Sequence, residues 1–374
     1  MVKLLTAHTT EVDDELLALE EISQRLDLRK NRRKNSIALI FRHKYFSNES
    51  FFRKLEAFLS MKVITITTIL SSTNDAYGGI SLSVSVLTSD TAEFATGISE
   101  SSDPADLYTQ TAAKTALSPK AIFVFSTIYY TFSGSEQVRI LSETSGNLPI
   151  FGSVSCTLPH SENDDSIYYD GTFHAGCLVI ILLCGDFKAS FSSLTSPINK
   201  FLVRNIEVTK TEKNILKELD GKPAATFLRE AGVIHDGIDA LSLLSLPLCS
   251  EKGGKVSHIW IMDTVHDNGD IVCHTDISEG KTISVGLMEQ NHILNSVTKF
   301  LEENIEGKNK NFIIFSCAVR SIALGFNYDA EVAFVSQKTN TPYLFAYSGG
   351  EYCPTSHGNN FLTASIVSCG FEES

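Results

Sequence analysis

Two short segments of the sequence each place a cysteine four residues ahead of a histidine, a spacing that could serve a metal ion. They run from Cys156 to His160 and from Cys353 to His357. If the two segments face each other, the four side chains would form a Cys2His2 set, which is typical of a structural zinc site. Spacing alone does not bring distant loops together, so unrelated loop residues are the simpler interpretation. We therefore expect no metal and keep this zinc set as the alternative.

His174 is a further residue whose type and position could support chemistry. It precedes the long apolar run from Ala175 to Cys184, and an imidazole in such a place could ligate haem iron. A core imidazole that bonds the backbone explains the same position without a cofactor. We therefore expect no cofactor, with haem as the alternative.

The familiar enzyme motifs are incomplete or missing. Gly280-Lys281-Thr282 resembles the end of a phosphate-binding loop, but Thr275 stands where that loop needs its first glycine. Neither the GxGxxG dinucleotide fingerprint nor the GxSxG nucleophile elbow occurs. Cys317 and Cys353 are the thiols that could act as nucleophiles, and neither has an evident histidine partner. We expect a protein that is not an enzyme.

Composition and charge point to a globular cytoplasmic protein. The chain has 374 residues, of which 43% are hydrophobic and 20% charged, as in ordinary folded domains. Its formal net charge of -13 opposes binding to nucleic acid. The opening residues lack the apolar stretch of a signal peptide, and no apolar run reaches the ~20 residues that a membrane-spanning helix needs. We therefore expect neither a membrane nor a nucleic-acid partner.

One order of elements recurs along the chain: strand, helix, strand, helix, strand, loop, strand. The copies lie near residues 3–88, 93–184 and 282–369, with an inserted segment near 200–275. Strands joined through helices should be parallel, whereas the last loop can return the chain antiparallel. This pattern predicts an α/β fold of mixed sheets with flanking helices, built from three repeated units. The alternative is that alternating α/β patterns look alike without being duplicated.

The strand in each copy that follows the first helix is rich in apolar residues along its whole length. We predict that these three strands are buried on both faces and hold equivalent sheet positions. They span residues 36–41, 121–125 and 312–315.

Three segments make the family of the chain recognisable. Phe315–Arg320 and Ala346–Pro354 resemble the C-terminal signatures of the FIST (F-box and intracellular signal transduction) sensory family, and Leu148–Cys156 resembles its N-terminal part. The resemblance implies an N-terminal part over residues 1–198 and a C-terminal part over 199–374. It also implies a bacterial-type sensory protein that binds a small ligand, with amino acids as candidates, and signals through a separate protein. Some relatives sense nitric oxide through haem.

Two segments depart from the family pattern and place the identity of the ligand in question. The turn Ser153–Pro159 lacks the expected glycines, and Asn359–Phe361 replaces a Phe-His-Asn sequence.

Ligands of open α/β sheets bind beyond the carboxyl ends of the parallel strands. There Arg320 could bind a carboxylate, Glu351 could accept from an ammonium group, and Gly349-Gly350 would let the backbone approach closely. The alternative is that Arg320 and Glu351 pair with each other as a structural bridge. We predict that both lie beside a pocket that includes the turn 152–156. The predicted ligand-binding set is Arg320, Glu351, Tyr347, Ser348, Gly349, Gly350, Ser316, Cys317, Gly152, Ser153 and Ser155.

Overall fold

Mixed sheets with helices on their outer faces make up the protein, which confirms the predicted α/β class. The structure is a computed structural model and describes residues 2–74, 76–128, 130–157, 164–252 and 255–372. None of the helices in these ranges combines the length and the apolar character that crossing a bilayer requires.

The first unit begins with a strand and a helix whose start is fixed by a side-chain cap. Its elements are β1 (Val2–Thr9), α1 (Glu15–Leu26), α2 (Leu28–Asn31), β2 (Asn35–Arg42), α3 (Glu49–Leu59), β3 (Lys62–Thr67), β4 (Ser71–Thr73), β5 (Tyr77–Gly78) and β6 (Leu82–Ser89). The Asp14 side chain accepts the first free N–H groups of α1, as N-caps do. Ala18, Ile22 and Leu26 follow at helical spacing and are buried. Strands β2 and β3 are parallel, and β6 lies antiparallel between β1 and β2.

The second unit repeats this arrangement. Its elements are β7 (Ala92–Ser99), α4 (Pro104–Ala112), β8 (Pro119–Ser126), α5 (Gly134–Ser145), β9 (Ile150–Val154), β10 (Ser166–Tyr169), β11 (Thr172–Ala175) and β12 (Leu178–Gly185). Strands β8 and β9 are parallel, and β12 lies antiparallel between β7 and β8. Ser133 and Glu136 form a reciprocal capping box that starts α5.

The rest of the chain holds a third unit and the inserted sheet. In chain order its elements are β13 (Ala189–Thr195), β14 (Lys200–Glu212), β15 (Ile215–Leu219), β16 (Lys222–Pro223), α6 (Ala224–Glu230), α7 (Ala240–Leu244), β17 (Leu248–Lys252), β18 (Lys255–Trp260), β19 (Met262–Val265), β20 (Ile271–Cys273), β21 (Thr282–Leu287), α8 (Gln290–Asn304), β22 (Lys310–Cys317), α9 (Ala318–Leu324), the 3-10 turn Gly325–Asn327, α10 (Ala330–Lys338), β23 (Tyr343–Ser348), β24 (Glu351–Thr355), β25 (Gly358–Leu362) and β26 (Ser365–Glu372).

The position of the third unit's first strand corrects the sequence analysis, which placed it near residue 282. Strand β21 pairs with β14 and belongs to the inserted sheet. The position beside β26 is taken by β13. All seven residues of β13 are only partly buried, because an edge strand exposes one side, and its serine-rich sequence gives no apolar signal. The insertion therefore falls within the third unit and continues to Leu287 rather than ending near residue 275.

Each unit donates a hairpin to the sheet of another unit. The hairpin β10–β11 pairs with β3 of the first unit, β24–β25 pairs with β9 of the second, and β4–β5 pairs with β23 of the third. The exchange closes a cycle of three six-stranded sheets. Completing any of these sheets therefore requires a second unit.

The inner faces of the three sheets share one core, centred on three phenylalanines. Phe41, Phe125 and Phe315 occupy corresponding positions in β2, β8 and β22, and all are buried. Their ring centroids lie 6.1 Å apart for Phe41–Phe125, 5.3 Å for Phe41–Phe315 and 6.2 Å for Phe125–Phe315. Each of the three strands pairs antiparallel with the last strand of its unit and parallel with the next crossover strand. Such edge-to-face and tilted packing stabilises aromatic clusters beyond simple burial.

Candidate functional site

A cavity of about 340 Å³ opens where the carboxyl ends of β8 and β9 meet the inserted segment. Its lining residues are Ser126, Thr127, Ile128, Tyr130, Thr131, Phe132, Ser133, Gly134, Glu136, Gln137, Val154, Lys213, Asn214, Asp263, Val272, Cys273, His274, Asp276, Gly349 and Phe361. They come from the second unit, the insertion and the third unit, which the fold brings together at this point. The cavity is large enough for a small metabolite, since ligand pockets usually begin near 300 Å³.

Acidic groups predominate among the charged residues of this cavity. Lys213 Nζ lies 3.6 Å from Glu136, and His274 Nε2 lies 3.3 Å from Asp263 Oδ1. Asp276 Oδ1 is buried and accepts no hydrogen bond from any residue that the structure describes. Burial raises the pKa of the Asp276 carboxyl, and the nearby Glu136 charge raises it further, whereas the Lys213 charge and a hydrogen bond between the carboxyl and the Ser133 side chain oppose the rise. A ligand that donates hydrogen bonds would satisfy this oxygen.

The apolar part of the cavity includes a ring that is held in place by two glycines. A methyl group at Gly134 would lie 2.5 Å from the Phe361 ring, and one at Gly350 would lie closer still. Behind this ring, Tyr352 packs with its centroid 5.1 Å away. The sequence analysis expected Gly350 to admit a ligand, whereas the structure fills that space with Phe361. Sequence reasoning noticed the segment of Phe361 only as a departure from the family pattern.

The predicted pocket beside the turn 152–156 is present in part. Val154 and Gly349 line the large cavity. Ser348, Cys317 and Cys156 line a smaller cavity of about 10 Å³, which also includes Gly349 and His274. The two cavities therefore share a wall formed by the third unit and the insertion.

Most of the other small and polar residues of the predicted set are engaged within the protein, although the buried Ser153 Oγ has no hydrogen-bond partner among the described residues. Ser316 Oγ donates to Glu331 at 2.9 Å, and Tyr347 Oη donates to the Tyr328 carbonyl at 2.9 Å. Ser155 Oγ donates to Asp165. Strand pairing sets Gly152 opposite Tyr352 and Ser153 opposite Glu351.

Arg320 is paired with Glu331, a residue that the sequence analysis did not consider. Arg320 Nη2 and Nε lie 2.6 and 2.9 Å from Glu331 Oε1, and Nη1 donates to Ser196 at 2.7 Å. Both charged side chains are completely buried. The planar fork that could have bound a ligand carboxylate is therefore filled by Glu331, and the bridge with Glu351 that was the alternative is not the pair that forms.

Glu351 is fully buried and is not among the described lining residues of either cavity. Ser348 Oγ donates to its Oε1, whereas Oε2 has no hydrogen-bond partner among the described residues. Burial raises the pKa of this carboxyl well above its ordinary value, although the Ser348 hydrogen bond and the Arg320 charge oppose the rise. Burial therefore favours the neutral form of this carboxyl and makes it a weaker partner for a ligand ammonium group.

Replacing Glu351 by glutamine should make the protein less sensitive to alkaline pH. A raised pKa means that the folded state keeps a proton that the unfolded chain releases at about pH 4.3. This contribution to stability is complete below that pH and is lost as the pH rises through the folded-state pKa. Urea unfolding at pH 5, 7 and 9 should show the stability of Glu351→Gln improving relative to wild type as pH rises. A parallel decline of both proteins would contradict a neutral Glu351, and the exposed Glu20→Gln serves as control.

The described residues of the two alternative cofactor sites are engaged elsewhere or lie apart. Both ring nitrogens of His174 are engaged, Nδ1 with Glu100 at 2.7 Å and Nε2 with the Tyr169 carbonyl at 3.1 Å. Haem iron would have to displace one of these partners.

The described members of the zinc alternative, Cys156, Cys353 and His357, are also dispersed. Because β24 runs antiparallel to β9, Cys353 lies toward the amino end of β9, while Cys156 follows its carboxyl end. His357 is exposed in the turn between β24 and β25, and His160 lies outside the described residues. Within the described ranges, no three side chains of the metal-binding types gather closely enough to hold an ion.

Two comparisons with known proteins complement this geometry. The FIST N domain model matches residues 36–222, and the FIST C domain model matches residues 224–354. A search of the curated proteins found no match. FIST domains are sensory domains of signal transduction that bind small ligands, and the family is not an enzyme family. Because the matched ranges together cover most of its length, the chain belongs to the FIST family, as its sequence signatures predicted.

Proposed function

We propose that this protein is a cytoplasmic, non-enzymatic sensor that binds an amino acid in the 340 Å³ cavity and passes the signal to a separate protein. The observation that carries the proposal is the buried Oδ1 atom of Asp276, which has no hydrogen-bond donor among the described residues. An unsatisfied buried acceptor costs about 1–3 kcal/mol, and more when it is charged. The ammonium group of a ligand would recover that free energy by donating to Asp276.

The remaining charges support both ends of an amino acid. Glu136 and Asp263 add negative charge to the cavity, which favours a cationic group. Lys213 is 70% exposed, and its 3.6 Å separation from Glu136 makes that pair loose. Exposed pairs of this kind contribute little. Lys213 could therefore turn toward a ligand carboxylate at small cost.

The thiols support a role without catalysis. Cys317 and Cys353 are buried, and burial raises the pKa of both thiols. A nucleophilic cysteine acts as the thiolate, which is strongly disfavoured at these two positions. Among the described residues that line the large cavity, neither of these thiols is present.

The position of the insertion suggests how binding is transmitted. Lys213, Asp263 and Asp276 come from the inserted segment, whereas Glu136 belongs to α5 of the second unit. A ligand that contacts both sides would stabilise the insertion against the body of the protein. A separate signalling protein could then recognise the surface of the insertion in this stabilised position.

Replacing Asp276 by asparagine should weaken binding by about 10- to 100-fold, because a charged hydrogen bond contributes about 1.5–3 kcal/mol. Trp260 provides the readout, since it is the single tryptophan and its Nε1 donates to the Asp276 carbonyl at 2.9 Å. We would screen the L-amino acids by thermal shift and titrate those that bind by Trp260 fluorescence. A saturating ligand, at about a hundred times its dissociation constant, should add about 2.7 kcal/mol.

The matched control is Asp267→Asn, which removes an exposed carboxylate from the turn between β19 and β20 of the insertion. It should leave affinity unchanged. Equal affinities of wild type and Asp276→Asn would reject the proposed ammonium contact. A screen in which no amino acid stabilises the protein would reject the proposed ligand class.

A further inference from the structure

The cavity has two chemically distinct parts. Glu136, Lys213 and Asp276 are close enough to influence one another electrostatically. A separate group of apolar side chains surrounds the turn at residues 349 and 350. A methyl group at Gly349 would lie 3.4 Å from both Ile128 Cδ1 and Val154 Cγ1, and Phe361 fills the space beside Gly350.

Phe361 is a rigid member of this apolar part. A methyl group at Gly134 or Gly350 would clash with the Phe361 ring, so the backbone of α5 and of the turn before β24 both pack closely against it. Behind it, Tyr352 Oη contacts Ser126 Oγ at 2.9 Å and donates to Gln137 at 2.7 Å. Packing and a hydrogen-bonded neighbour restrict this ring to one position in the cavity wall.

The strand that carries Phe361 is itself anchored. Asn359 Nδ2 donates to the Leu148 carbonyl at 2.9 Å and to Ser142 Oγ at 3.1 Å, and its Oδ1 accepts from the Ile150 N–H at 2.9 Å. These contacts tie β25 to the end of α5 and to β9. The Asn-Asn-Phe segment, which departs from the family pattern, therefore holds the cavity wall in place through these hydrogen bonds.

We propose that Phe361 determines ligand specificity by selecting amino acids with an aliphatic or aromatic side chain. This inference rests on the proposed function, because it assumes that the ammonium group is bound at the acidic part. The side chain of the ligand then extends to Ile128, Val154 and Phe361. Apolar contact there is favourable in proportion to the area removed from water, whereas a charged side chain would lose its hydration.

The test compares four ligands: L-leucine, L-phenylalanine, glycine and L-aspartate. Trp260 fluorescence titrations of wild type should show leucine or phenylalanine binding at least about tenfold more tightly than glycine or aspartate, since one well-buried side chain is sufficient for that factor. Phe361→Ala should reduce the affinity for the preferred ligand by about tenfold or more, while the weaker binding of glycine stays the same.

A second variant, Phe361→Leu, keeps an apolar side chain and is used because Phe361→Ala removes a ring from the core. It should fold, as judged by circular dichroism and the unfolding midpoint. Its ratio of leucine affinity to phenylalanine affinity should differ from the ratio of wild type. Phe326→Ala, which removes a fully exposed ring, should change neither affinity nor preference.

The possible outcomes separate this inference from the proposed function. Failure of all four ligands and of the wider amino-acid screen to bind wild type would reject the proposed function. Binding of amino acids without an apolar preference would overturn the inference alone. The inference alone would also be overturned if Phe361→Leu and Phe361→Ala changed the affinities for all four ligands by one common factor.

Discussion

Replacing Glu331 by glutamine is expected to lower the free energy of unfolding by about 3–5 kcal/mol, the range found when one partner of a buried ion pair is removed. Arg320 and Glu331 are both completely buried. The guanidinium of Arg320 would remain inside the protein with the hydroxyls of Ser196 and Ser296 as its other side-chain partners. Two serine hydroxyls cannot replace the charge of a carboxylate, so the folded state loses stability.

Urea denaturation at neutral pH measures this effect. Glu303→Gln is the matched control, because it breaks an exposed pair with Lys299 at 3.8 Å and should change stability by less than about 1 kcal/mol. A double variant, Arg320→Met with Glu331→Leu, should recover much of the loss if the cost arises from the isolated charge. A Glu331→Gln protein as stable as the control would show that Arg320 does not depend on its partner.

Truncating Phe315 to alanine should destabilise the protein by about 3–5 kcal/mol, as is usual for a phenylalanine removed from a core. Phe315 contacts the rings of Phe41 and Phe125 and is also stacked on Phe151, with centroids 5.3 Å apart. The backbones around it belong to sheets that exchange hairpins, so they cannot close the resulting space by moving one strand. We therefore expect a single cooperative unfolding transition at a lower denaturant concentration.

Phe326→Ala is the control, because it makes the same substitution at a fully exposed ring. It should leave the free energy of unfolding within about 0.5 kcal/mol of wild type. Denaturant unfolding followed by circular dichroism and by Trp260 fluorescence measures both variants. If Phe315→Ala unfolded in two separate steps, or lost no more stability than Phe326→Ala, the shared core would not join the three units as the structure indicates.

The sequence by itself determined the α/β class, the family and the positions of the three apolar strands β2, β8 and β22. These properties depend on local signals, such as the apolar run of β22. Each signal acts over a few residues, so it can be recognised without knowing what packs against it. The edge strand β13 was missed for the same reason, because its local sequence carries no apolar period.

Only the tertiary structure decided which side chains meet. Arg320 pairs with Glu331 rather than with Glu351, and Gly350 makes room for Phe361 rather than for a ligand. The cavity combines Glu136 with Asp276, which lie far apart in the sequence and on opposite sides of the insertion boundary. Such contacts are set by the hairpin exchange and by the packing of the insertion on the second unit. No local pattern encodes them, because the free energy of each contact depends on residues brought together from distant parts of the chain.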